Sequence, residues 1–393
     1  MSRVVFFGIP AWGHTNPTVE VVRELTRRGC QVRYYSFTPF REKLTEAGAE
    51  FVSCDGYLPP DPPKDLEKRL GKDFSALVGM TFDTTMRMDA PVCGQLREWQ
   101  PDCLVADSVC FWGKLFAKKL GIPLVCSTTT FAFNRETARL IRRRPDELIW
   151  MLRGLPLVRK KTEQLRCSGY KDVDLIGLLQ NDNETDTIVY TSRAFQPLAE
   201  TFSDRYAFVG PVLALPPVQE RTGGKPLLYV SLGTVIGGRK DFFRSCVLAL
   251  TDSPYEAVFS LGEGTAVDSL GQLPDHIRAF ARVDQLSVLR RADVFLTHCG
   301  MNSASEAIAC GVPTVLAPQQ SEEDAVARRM EELGVGVRLG RETPERIRAA
   351  VDRVLSDGSY AARTRELAES FRSAGGAAAA ADKILSVANR PSL

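Results

Sequence analysis

Two of the three histidines in this chain stand within two residues of a glycine where an apolar run gives way to a polar one: His14 in IPAWGHTNP and His298 in VFLTHCGMNS. A neutral imidazole at the carboxyl end of a parallel strand can take a proton from a hydroxyl, and His14 is spaced for that role. It also reads as a cap on a helix beginning at Asn16, and both readings stay open on the residues alone. Asp107 ends a second apolar run, CLVAD. A carboxylate on one ring nitrogen fixes the tautomer of a histidine base and stabilises its imidazolium, while an Asp at this place is also a common N-cap, here for a helix from Val109.

Around His298 the chemistry on offer is anion binding. Gly300, Asn302 and Ser303 gather small and hydrogen-bonding groups ahead of a helix from about Ser303 to Cys310, where N–H groups face a ligand, and a phosphate fits there. Ser303 and Glu306 have capping-box spacing, which accounts for those two residues and no others. Past the next strand come Pro318, Gln319 and then Glu322, Glu323 and Asp324. Three carboxylates suit a divalent cation, but acids in a first helical turn after Ser321 as N-cap complement the helix dipole, which is the simpler reading.

The elements that must position these residues alternate in type. Apolar runs at Val4 to Ile9, Gln31 to Ser36, Phe51 to Ser53, Cys103 to Ala106, Pro123 to Ser127, Thr187 to Thr191 and Tyr206 to Val209 read as strands separated by helices. The first helix is expected over Thr18 to Arg28, with Asn16 as N-cap and Pro17 at its first position. A Pro- and Gly-rich run up to Pro226 marks a linker, after which Leu227 to Ser231, Ala257 to Leu261, Val294 to Thr297 and Pro313 to Ala317 open a second α/β series. At 393 residues and 44% hydrophobic content, two cores are expected. A net charge of +2 gives no footprint for nucleic acid, ten cysteines without CxxC spacing read as reduced and mostly buried, and no run is long enough to span a membrane. GGKP at 223 to 226 lacks the Ser or Thr of a phosphate loop, and GxGxxG, HExxH and GxSxG are absent.

His298, Gly300, Asn302, Ser303 and Glu306, followed by Pro318 and Gln319, resemble the nucleotide-sugar signature of the family-1 (UGT-type) glycosyltransferases, and the bacterial macrolide-glycosyltransferase branch most. GHTNP around His14 and VADSVCFWGK around Asp107 match the same family's catalytic dyad in context. The resemblance implies an α/β protein of GT-B fold, two Rossmann-like doubly wound domains facing a cleft. Residues 1–213 would be the acceptor domain, 214–226 the linker, 227–373 the nucleotide-sugar domain, and 374–393 a helix packing back on the first domain. It implies an inverting transfer of a sugar, glucose first among candidates, from a UDP-sugar to a hydroxyl of a hydrophobic small molecule such as a flavonoid or macrolide. His14 would be the base and Asp107 its partner. Ser231, Gly233, Thr234, Arg282, Val283, Gln285, His298, Gly300, Asn302, Ser303, Glu306, Glu322 and Glu323 would bind the donor. No permanently bound cofactor or metal is expected, the UDP-sugar being a co-substrate; the partners are the acceptor and the nucleotide sugar, in a cytoplasmic monomer or weak dimer. A dTDP-deoxysugar transferase, a UDP-GlcNAc epimerase and a non-catalytic nucleotide-sugar binder are the competing readings.

Departures from the family pattern are local. At the base-binding segment ARVDQL, Val283 and Gln285 are kept, Arg282 replaces an aromatic, and Asp284 replaces a proline; a guanidinium plane can stack on a base as the aromatic does. The basic, amphipathic stretch from 138 to 166 reads as a solvated face on helices near the acceptor pocket, with an anionic surface as the rival. Trp12, Phe111, Trp112, Phe131, Phe133 and Trp150 are candidate apolar walls for that pocket, although core packing is the commoner fate of any single aromatic. At the sugar-binding pair the family commonly places Gln second, whereas this chain has Glu322 and Glu323, two acceptor-only side chains. Like-charge repulsion should then exclude glucuronic acid as the transferred sugar. Turnover assays with UDP-glucuronate are expected to give no product, and efficient turnover would refute the assignment of this pair.

Overall fold

The computed structural model describes residues 1–58, 74–140, 145–170, 178, 183–217, 224–233, 238–262 and 264–390. The chain divides into two compact units, Met1–Val212 joined by Ala374–Leu393, and Leu213–Ser373. Among the described residues the first unit holds seven strands: β1 Arg3–Phe7, β2 Gln31–Ser36, β3 Glu50–Ser53, β4 Cys103–Asp107, β5 Leu124–Thr128, β6 Asp186–Val189 and β7 Tyr206–Phe208. They pair in parallel in the order β3-β2-β1-β4-β5-β6-β7. Val4 to Phe7 and Leu104 to Ala106 are almost wholly buried. That is why these strands read as continuous apolar runs: helices cover both faces of a parallel sheet.

The second unit repeats the plan with β8 Leu227–Ser231, β9 Glu256–Ser260, β10 Ile277–Phe280, β11 Val294–Thr297, β12 Thr314–Leu316 and β13 Gly336–Arg338, again parallel, in the order β10-β9-β8-β11-β12-β13. In each sheet one adjacent pair marks the point where the strand order reverses: β1 beside β4, and β8 beside β11. Connections leave such a pair in opposite directions, so a crevice opens at the carboxyl ends of those two strands.

In the first unit two helix starts differ from the sequence expectation. The first helix runs Trp12–Arg27 with Ala11 as N-cap, and Pro17 lies inside it. His14 therefore sits in the first turn, its amide bonded to the Ala11 carbonyl at 3.1 Å, and not in a loop ahead of an Asn16 cap. The helix after β4 is Phe111–Leu120, capped at Cys110, so Asp107 is not its N-cap. All ten cysteines are free and eight are buried; burial raises the Cys54 thiol to about 12 and the Cys93 thiol to about 11.

The final helix, Gly376–Ala388, belongs to the first unit. Ala380, Ala381, Ile384 and Val387 are buried on one side of it, and the Gly376 amide donates to the Val209 carbonyl at 2.8 Å. Ion pairs fix its polar side: Arg28 with Asp382 at 2.5 Å, and the buried Asp186 with Lys383 at 2.6 Å, Arg390 at 2.5 Å and Arg205 at 3.0 Å. Burial alone would raise the Asp186 carboxyl, but hydrogen bonds from Arg390 and Lys383 outweigh it and hold the group below the usual carboxylate range. A depressed folded-state value stabilises the fold above the unfolded value of about 4, and that contribution fades as pH falls through the folded value. Asp186→Ala should cost about 1–3 kcal/mol at pH 7, less than a fully buried pair because Arg205 and Arg390 are nearly half exposed. Hydrogen exchange should show residues 376–388 losing protection in the variant at pH 7, and in the wild type only in acid; unchanged protection would remove Asp186 from this role.

Candidate active site

At the β1/β4 switch point the structure brings His14 and Asp107 together. His14 Nδ1 lies 2.8 Å from Asp107 Oδ2, the imidazole about a quarter exposed and the carboxylate buried. The other carboxylate oxygen, Oδ1, accepts from the Val109 amide at 2.9 Å. Asp107 thus holds the turn after its strand and the imidazole at once. With a carboxylate on Nδ1, that nitrogen carries the proton and Nε2 keeps the lone pair of a base. Thr129, next after β5, places its Oγ1 3.2 Å from the same Nδ1. Sequence reasoning missed Thr129, although its place at the end of the strand beside β4 was the available signal.

At the β8/β11 switch point the crowding is around His298. A Cβ on Gly233 would stand 2.6 Å from the His298 Cε1, and one on Gly300 would stand 2.5 Å from its Nε2. Only a glycine leaves room at either position, and Gly233 also has φ +75°. Between them Cys299 adopts φ +70°, a left-handed conformation that costs a non-glycine residue about 1–2 kcal/mol. Its amide is held by Thr297 Oγ1 at 3.1 Å. Burial lowers His298 to about 4, so the ring is neutral at physiological pH. Its Nδ1 is buried with no hydrogen-bond partner among the described residues. A polar atom left in that state marks a place where a ligand or water belongs.

The helix that follows is Met301–Ala309, with Gly300 as N-cap and Ala304 making the first intrahelical bond, to the Gly300 carbonyl at 2.9 Å. Ser303 is therefore a first-turn residue and not the N-cap. Glu306 does not close a capping box with it. Gln285 joins them instead, Nε2 donating to Glu306 at 2.6 Å and to Ser303 Oγ at 3.1 Å while Oε1 accepts from Tyr229 at 3.1 Å. Burial raises the Glu306 carboxyl, with the Gln285 bond opposing it. Ser231 ends β8 and its Oγ accepts from the Gly233 amide at 3.2 Å. Thr234 lies outside the described residues. Arg282 is exposed, Val283 and Asn302 are half-buried, and Asp284 is the N-cap of the short helix Gln285–Leu289.

The acidic trio serves different ends. Gln320, not Ser321, is the N-cap of helix Ser321–Glu332, and the buried Glu323 reaches back so that its Oε2 accepts from the Gln319 amide at 2.7 Å and the Gln320 amide at 3.0 Å. Asp324 pairs with Arg328 and Arg338 at 3.1 and 2.7 Å, while Glu322 is exposed. Among the described residues no group of three His, Cys, Asp or Glu side chains is placed to hold a metal ion.

Of the aromatics named as acceptor walls, Trp12 opens the helix that carries His14, is half exposed, and stands edge-on to Phe40 at 4.7 Å. Phe133 is half-buried. Phe111 and Trp112 belong to the core of the first unit, wholly buried, and Phe131 is buried against Phe195 at 5.2 Å. The expectation for these three is corrected: Phe111 and Trp112 lie in the first turn of a helix packed on a two-faced sheet, which points large apolar residues inward, and Phe131, in the segment after β5, is buried beside Phe195. Trp150 lies in helix Pro145–Cys167, its side chain outside the described residues. On that helix Ile149, Leu152 and Leu155 are exposed, together with Arg153, Arg159 and Lys160.

Residues 247–385 match the family described as the C-terminal domain of erythromycin biosynthesis protein CIII-like proteins. Over 393 residues, covering 98% of this chain and 97% of the relative, the sequence is 32% identical to the NDP-glycosyltransferase YjiC of Bacillus licheniformis. It is also 32% identical to the demethyllactenocin mycarosyltransferase of Streptomyces fradiae, over 98% of this chain and 86% of that one. Among solved structures, the glycosyltransferase of kitacinnamycin superposes with a TM-score of 0.82 at 27% identity, covering 97% of both chains.

The packing of His298 between two glycines yields a direct test. Gly233→Ala or Gly300→Ala should displace the ring or its loop and weaken binding of a nucleoside diphosphate about tenfold or more, since overpacking costs roughly 1–3 kcal/mol. Titration calorimetry with UDP and with dTDP measures it, and affinities equal to wild type for both variants would show that His298 does not need this position.

Proposed function

The chain belongs to the family-1 glycosyltransferases of GT-B fold, in their bacterial macrolide-type branch, and from that premise we propose that it transfers a hexose, glucose first, from a UDP-sugar to a hydroxyl of an apolar natural product. The observation that carries the reading is the 2.8 Å bond between His14 Nδ1 and Asp107, which leaves Nε2 as a base. In the proposed reaction Nε2 takes the acceptor's hydroxyl proton. The oxygen forms a bond to the anomeric carbon as the bond from that carbon to the diphosphate breaks, and the electron pair leaves with the nucleotide. Configuration inverts. Asp107 stabilises the imidazolium without taking its proton.

Several features support the donor side. His298, the first turn of helix Met301–Ala309 and the Ser231–Gly233 turn bring donors and a helix N-terminus to the adjacent carboxyl ends of β8 and β11, a setting in which diphosphate charge can be held by preorganised groups. Gln285, Ser303 and Glu306 form one polar cluster beside them, suited to the nucleoside. On this account turnover proceeds in EDTA. The exposed Ile149, Leu152 and Leu155, with Trp12, favour an apolar acceptor. A dTDP-deoxysugar donor is the second reading, and the Streptomyces relative that is a mycarosyltransferase favours it.

A His14→Ala variant tests the assignment. Removing a general base should lower kcat by about 10²–10⁴, with UDP affinity within twofold of wild type by calorimetry and with the loss smallest for acidic phenol acceptors. Unchanged turnover would exclude His14 from the chemistry.

A further inference from the structure

Three segments that leave the carboxyl ends of different strands in the second unit meet in one cluster, of which only Gln319 belongs to the signature motif. Arg239 closes the loop after β8 and is the N-cap of helix Lys240–Leu250. Gln319 follows β12, and Glu342 follows β13. One guanidinium nitrogen of Arg239 donates to Gln319 Oε1, and the other donates to Glu342 Oε2 at 2.5 Å. Gln319 Nε2 in turn donates to Glu342 Oε1 at 3.0 Å and to the Ala317 carbonyl at 2.8 Å. The Gln319 backbone amide is the group that Glu323 Oε2 accepts from at 2.7 Å, so the cluster runs without a break into the turn that opens helix Ser321–Glu332.

Strand order gives this cluster its consequence. β8 and β12 flank β11, so a tie between the segments that follow them brackets the His298–Gly300 loop from both sides. Arg239 and Glu342 are each about one-third exposed. An ion pair that open to water adds little to stability, and its use is geometric. We propose that Arg239 and Glu342 are positioning residues for the sugar nucleotide, acting through Gln319 to hold the start of helix Lys240–Leu250 and the Glu322–Glu323 turn at a fixed separation around His298. This rests on the reading of the His298 loop as the donor site.

The test compares Arg239→Ala, Arg239→Lys, Glu342→Ala, Glu342→Gln and the double alanine variant with wild type, reading UDP affinity, donor and acceptor KM, kcat and thermal midpoint. Arg239→Ala should raise the donor KM and the UDP Kd about five- to tenfold and leave the acceptor KM, and kcat at saturating donor, within about twofold. Lysine should rescue only in part, because an ammonium cannot span both partners as the guanidinium does. The double variant should be no worse than either single one, as expected of residues that act as a unit. Should the alanine variants unfold, Arg239→Lys and Glu342→Gln carry the same comparison. A lowered thermal midpoint with unchanged donor KM would assign the cluster a purely structural role and overturn the proposal, as would a loss in kcat alone. Wild-type protein that binds neither UDP nor dTDP would instead defeat the donor-site reading before any variant is made.

Discussion

In a doubly wound parallel sheet, two neighbouring strands whose crossovers leave in opposite directions leave a gap at their carboxyl ends that their own helices do not fill. Each unit of this protein places its candidate site residues at that gap. β1 and β4 deliver His14 and Asp107 in the first; β8 and β11 deliver Ser231, Gly233, His298 and Gly300 in the second. Residues 93 positions apart therefore meet at hydrogen-bond distance without a specialised loop. The sheet supplies the proximity, and the side chains have only to fit it.

Fitting them carries a local cost, concentrated in the second unit. The His298 ring occupies the space that side chains at 233 and 300 would take, and Cys299 accepts a left-handed backbone so that the chain can turn into helix Met301–Ala309. A buried, neutral imidazole with one nitrogen unpartnered among the described residues is tolerable where a ligand completes it. Departures from the family pattern find structural reasons in the same region. Asp284 caps the helix that carries Gln285, and Glu323 uses one carboxylate oxygen to hold two backbone amides. Both acids do work that an unionised residue at the same position would do differently, so neither substitution by itself argues against a nucleotide-sugar site.

Sequence patterning was most informative where burial was complete. The apolar runs that became β1, β4, β8 and β11 announced themselves, and with them the positions of His14, Asp107, Ser231 and His298. It was least informative at edges and caps. β10 and β13 were not anticipated, because edge strands of three or four residues carry little periodicity and β13 begins with a glycine. Asn16–Pro17 looked like a helix start, yet tertiary packing began the helix at Trp12 and absorbed the proline. Phe111 and Trp112 could not be told from pocket walls by type alone, since which face of a first turn looks inward is decided by the sheet beneath it. Of the Arg239–Gln319–Glu342 cluster only Gln319 stood in a sequence signature: its members lie up to 103 residues apart and only the strand order unites them.

The most direct measurement of the central claim is a competition assay read by mass spectrometry, with wild-type protein, EDTA, a mixed pool of UDP- and dTDP-sugars, and a panel of flavonoid, macrolide and sterol acceptors. The account predicts an acceptor enlarged by one hexose, drawn from the UDP pool and formed without metal. A deoxysugar adduct from the dTDP pool would contradict the donor assignment, and nucleotide binding without any adduct across the panel would contradict the catalytic reading of His14 and Asp107.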